Sequence, residues 1–249
     1  MTEAQWLACN EPSRLLSSLF PRVKDTASDE RFRRFGIACC RRVADVLEFG
    51  DTYALDCLEI YANSKLREAF LKARRFHRGA GNDASRGLSQ VSRTDPVARN
   101  RAAAVALASS AVWSCTKSKA TQAAMAYREA AMARAHLNAA AGGPVPAGHQ
   151  LGAWLPADAT ELAAQAALVR DIFGNPFRPP VAFAPDWRTD TAMSLATQMY
   201  EAREFSAMPI LADALQDAGC TDEHLLSHCR APGEHVRGCW VVDLVLGKT

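Results

Sequence analysis

The feature that most constrains this chain is an alanine-dominated run between two sets of breakers. Asp95-Pro96 opens it, a cap followed by proline at the first helical position, and Gly142-Gly143-Pro144 closes it. Alanine is the best helix former and is depleted from strands, so the run is helical. It is far longer than the roughly three to four turns of an ordinary globular helix. A break near Ser114 to Lys119 is therefore expected, giving two helices whose small side chains let them pack closely.

The rest of the chain repeats the helical period. Thr2 with Gln5 three residues on forms a capping box before Trp6 and Leu7. Leu15, Leu16, Leu19 and Phe20 share a face that ends at Pro21. Ser28 caps a helix through Phe32, Phe35, Cys39, Cys40 and Val43, and Asp51 to Phe76 reads as another, interrupted at Asn63-Ser64. A helix from Ala157 stops at Gly174-Asn175-Pro176, and prolines and aromatics then make residues 177–187 an extended arm. Helices resume at about 190–205, 207–218, 222–229 and 235–246. Cys239 to Leu246 is rich in β-branched residues, but its apolar positions fit one helical face and Gly247 supplies an end signal. No period of 20 to 50 residues repeats, and two-residue alternation is nearly missing.

These signals predict an all-α, multi-helix globular assembly with Ala-rich central helices and a short extended Pro-rich arm. Between His77 and Pro96 turn residues crowd out apolar ones, so 77–96 is expected as a basic Gly/Ser-rich linker. It would join an N-terminal helical region, 1–76, to the Ala-rich helices, arm and compact C-terminal helices of 97–249.

A chain of 249 residues, 49% hydrophobic and 22% charged, buries a core without staples. Its start lacks the basic and apolar regions of an export signal, and no run of about 18 uncharged apolar residues exists, so a cytoplasmic location without membrane insertion is expected. The eight cysteines are then thiols or metal ligands rather than disulfides.

The tail gathers six metal-compatible side chains within twenty residues: Cys220, His224, His228, Cys229, His235 and Cys239. Zinc takes four such ligands in a tetrahedron. His224 and His228 are four apart and share a helical face, and so would His235 and Cys239 across the Ala231-Pro232-Gly233 turn. The spacing matches no established zinc finger or zincin. The alternative is that the cysteines are small buried hydrophobes and the histidines bond locally or face solvent. Cys239, with His235 one turn before it and Asp243 one turn after, also has the makings of a thiol nucleophile, its base and an orienting carboxylate.

The net charge of +2 is uneven, since residues 65–101 hold ten basic against three acidic side chains. Arg74, Arg75, Arg78, Arg86 and Arg93 could contact phosphates there, against the alternative of a solvated linker.

The opening Met1-Thr2-Glu3-Ala4-Gln5-Trp6-Leu7-Ala8-Cys9, the run Ile37-Ala38-Cys39-Cys40-Arg41-Arg42, and Arg170-Asp171-Ile172-Phe173-Gly174-Asn175-Pro176-Phe177-Arg178-Pro179 resemble a group of uncharacterised bacterial proteins. So does the tail, Leu211-Ala212-Asp213-Ala214-Leu215 with Asp217-Ala218-Gly219-Cys220, then His228-Cys229-Arg230 and His235-Val236-Arg237-Gly238-Cys239-Trp240-Val241-Val242-Asp243. The resemblance implies bacterial origin and carries no assigned activity. Helices and grooves outnumber convergent catalytic groups, so the leading expectation is a non-enzymatic interaction or scaffold protein with a protein partner. Zinc binding through the tail cluster and nucleic-acid binding through residues 65–101 are the alternatives.

Overall fold

A computed structural model describes residues 1–21, 26–91, 95–117, 119–145 and 155–248; the side chains of 26–28 and 79–81 lie outside the described set. It is all-α, and no strand occurs among the described residues. Among the described residues no helix is long and apolar enough to cross a membrane. The chain forms two compact units, residues 24–165 and residues 1–23 with 166–249. This division differs from the expected boundary at a linker over 77–96.

Residues 24–165 contain α3 (Thr26–Arg41), α4 (Phe49–Ser64), α5 (Arg67–Gln90), α6 (Pro96–Cys115), α7 (Ala120–Ala123) and α8 (Ala126–Ala140). The Ala-rich run breaks where expected, and α6 packs along α8 through fully buried Ala104, Ala108, Ala111, Ala130, Ala131 and Ala133. Asp95 caps α6 by accepting from the Ala98 amide at 2.9 Å. Close approach also explains Gly36, since a Cβ there would stand 2.2 Å from the Ala123 carbonyl oxygen. The buried Arg33 donates to the carbonyls of Cys115 and Lys117 at 2.7 and 3.0 Å, answering acceptors that the end of α6 leaves open.

The expected linker is the main correction. Residues 77–90 continue α5 without a break. The buried stripe of α5 is Ala69, Ala73, His77 and Ala84, small or polar residues at helical spacing. From His77 onward in α5 the buried described positions are His77 and Ala84 alone, so a search for large apolar residues finds no helix there. His77 is accommodated by Asp51, whose Oδ1 lies 2.7 Å from Nδ1, and by stacking on Trp113.

The other unit contains α1 (Glu3–Ala8), α2 (Pro12–Leu19), α10 (Asp190–Ala202), α11 (Met208–Asp217), α12 (Glu223–Arg230) and α13 (Trp240–Leu246). It also holds the C-terminal half of α9 (Ala159–Phe173). The capping box of Thr2 and Gln5 forms. Met199, Met208, Leu211, Leu215, Leu225, Cys229, Val241 and Val245 build the core of α10 to α13. The Pro-rich arm lies extended before one short turn at Pro185–Trp187, and Val181, Phe183 and Trp187 pack on that core. Gly174 ends α9 at φ +69 with the Trp240 ring 3.5 Å from where a Cβ would sit, a position that suits glycine on both counts.

Candidate metal centre

The tail cluster divides. Cys220 and Cys229 are buried in the core of α10 to α13. Burial raises both thiols, Cys229 to about 12 with a further push from the Asp171 carboxylate. They act as small hydrophobes, the alternative weighed for them above. His224 turns aside and stacks on Trp240 with ring centroids 4.9 Å apart; burial, then Arg178, lowers its pKa.

His228, His235 and Cys239 meet, and the residue that joins them is Asp171. One ligand atom from each of the four lies within 4.8 Å of all the others. His228 Nε2 is 3.1 Å from Asp171 Oδ1 and 3.3 Å from Cys239 Sγ. His235 Nδ1 is 2.6 Å from the same Oδ1 and 3.9 Å from the sulfur. Metal bonds of about 2.0 to 2.3 Å place tetrahedral ligand atoms about 3.3 to 3.6 Å apart, and the four separations bracket that span. The group could hold a metal ion. Among the described residues no other set of three or more His, Cys, Asp and Glu side chains does so.

Each ligand is positioned by local structure. Asp171 sits in the last turn of α9 between fully buried Val169 and Ile172. Its Oδ2 accepts from the Val236 amide at 3.0 Å, which fixes the carboxylate and turns Oδ1 to the imidazoles. His228 comes from α12. His235 and Cys239 do not open a helix as the spacing suggested, because α13 starts at Trp240 and Cys239 is its N-cap. Gly238, at φ +101, bends the chain between them and brings the sulfur back over the imidazole.

Burial alone would raise the Asp171 carboxyl. Hydrogen bonds from His228 and His235 outweigh it and hold the group below the ordinary carboxylate range. Burial, then the Asp171 charge, pushes the Cys239 thiol well above its usual value. A neutral, fully buried thiol is a poor nucleophile. The carboxylate that meets His235 is Asp171. Asp243 is buried within α13 and does not join the group.

Asp171 stands outside the tail spacing, among the apolar positions of α9. Its signal was nevertheless present, for a lone acid flanked by Leu168, Val169 and Ile172 needs a partner if that face is buried.

A cleft of about 390 Å³ opens beside the group, lined by Asp171, His228 and His235 and walled by Trp6, Trp240 and Arg170. Of the basic residues, Arg75, Arg78 and Arg86 are exposed on α5, Arg74 is half-buried, and Arg93 lies outside the described residues. Arg86 pairs with Asp83 at 3.2 Å. Compared with protein families, curated proteins and solved structures, the chain matches none.

Proposed function

We propose that this chain is a zinc-binding protein, with Asp171, His228, His235 and Cys239 as the four ligands. The observation that carries this reading is the convergence of one carboxylate oxygen, two imidazole nitrogens and one sulfur within 4.8 Å, from residues as far apart as 171 and 239. A mixed S, N, N, O set suits a borderline tetrahedral cation. One thiolate and one carboxylate neutralise a dication, and the bound ion would tie α9, α12 and the start of α13 together. Titration of chelator-treated protein against a chromophoric zinc chelator tests it. One Zn²⁺ per chain is expected, with uptake lost in Cys239→Ser and His235→Ala and retained in Cys220→Ser. No uptake by wild-type protein rejects the reading.

A protein partner is the second reading, and an exposed aromatic cluster in residues 24–165 favours it. Phe49 is 80% exposed and stacks on Tyr53, which in turn meets Phe76 at 4.4 Å. Such aromatics are over-represented at interfaces. A photo-crosslinker at position 49 should trap a second protein in cells; recovery of uncrosslinked chain alone opposes this.

A further inference from the structure

The cleft touches three of the four proposed ligands. Cys239 is fully buried, whereas the His228 side chain keeps 17% of its surface and His235 keeps 9%. Four protein ligands complete a zinc tetrahedron, so a further ligand reaches the ion only by expanding it to five-coordinate, and that needs one open side. Here the sulfur closes the back and the imidazoles meet the cleft.

Arg170 is the second observation. It lines the cleft beside Asp171. Its Nη1 donates to the carbonyls of Trp6 and Cys9 at 3.3 and 2.8 Å. Among the described residues no carboxylate pairs with it, and Nε and Nη2 have no protein acceptor. That leaves one edge of the guanidinium, the edge that binds an oxyanion through two parallel hydrogen bonds. A half-buried cation without a counter-ion favours an anion over a neutral ligand. The neighbouring Arg178 differs, because Glu3 pairs with it at 2.7 Å.

We infer that the cleft takes a small oxyanion-bearing molecule, its carboxylate or phosphate group reaching the metal from the imidazole side with Arg170 as counter-charge. The volume, about 390 Å³, is at the small end of ligand pockets, and Trp6 and Trp240 supply apolar walls for the rest of the molecule. This rests on the metal reading above, and the test separates the two.

Cobalt(II) replaces zinc as a visible probe. A sulfur-to-cobalt charge-transfer band reports the Cys239 bond and hence the metal site; the weaker d–d bands report any further ligand. Titrating cobalt-loaded protein with inorganic phosphate, and separately with acetate, should shift the d–d bands saturably, and the tighter of the two identifies the head group. Arg170→Met should weaken that binding about tenfold or more while leaving the charge-transfer band intact. A charge-transfer band with d–d bands that neither anion moves overturns the open-site inference and leaves the metal site standing. Lack of the charge-transfer band overturns both. The wild-type titration decides the point even if Arg170→Met folds poorly.

Discussion

At the scale of single residues, the centre depends on how Asp171 is held. Its carboxylate takes two imidazoles and one amide while buried, so an amide in its place removes the charge and sets an NH2 donor where one of the two accepting oxygens stood. Asp171→Asn in metal-free protein should cost about 2 to 4 kcal/mol by urea unfolding. The pH dependence follows from the direction of the shift. Because the folded-state pKa is depressed, the contribution is complete above the unfolded value of about 3.9 and is lost as pH falls through the folded one. The gap between wild type and Asp171→Asn should therefore shrink as pH falls below about 4. A gap that does not shrink there contradicts the assignment. Cys239 works in the opposite sense: metal must displace the proton of a thiol raised by burial, so zinc affinity should rise with pH through neutrality in a chelator competition.

At the scale of elements, much was legible because breakers are local. Proline at the start of α6, the capping box on α1 and the break between the Ala-rich helices need no tertiary information. The C-terminal half of α5 was not legible. Its glycines read as turn chemistry, and its one buried position among the described residues is Ala84, which only packing on neighbouring helices makes meaningful. Gly87 gives a direct check. It lies within α5 at an ordinary φ with nothing within 4 Å of where a Cβ would sit, so Gly87→Ala should stabilise residues 24–165 by roughly 0.5 to 1 kcal/mol. No gain in thermal midpoint would speak for the loop instead. Gly36→Ala is the counter-case, since the added methyl meets a backbone carbonyl of α7; a loss of about 1 to 3 kcal/mol is expected in the same measurement.

At the scale of the whole molecule, chemistry and helix packing are divided between two units. All four proposed ligands belong to residues 1–23 with 166–249, and the exposed aromatic cluster belongs to residues 24–165. The sequence pointed to the metal centre through His228, His235 and Cys239, which are close in the chain. It did not point to Asp171, which meets them because α9 ends against the 231–239 bend, a contact that no spacing rule contains. Cys220, Cys229 and His224 look equivalent in the sequence to the three that meet, and packing separates them: the two cysteines into the core and His224 onto Trp240. Metal should therefore raise the stability of one unit selectively. In hydrogen exchange, zinc should protect amides of α12 and α13 and leave α6 and α8 unchanged; uniform protection of both units contradicts a local site.

The most direct measurement is X-ray absorption at the zinc edge of protein loaded with one equivalent of the metal. The proposed centre predicts one sulfur at about 2.3 Å and three nitrogen or oxygen neighbours at about 2.0 to 2.1 Å, with an added oxygen if an anion enters from the cleft. A shell with two or more sulfurs, or with none, would contradict it, because Cys239 is the one thiol among the four ligand side chains.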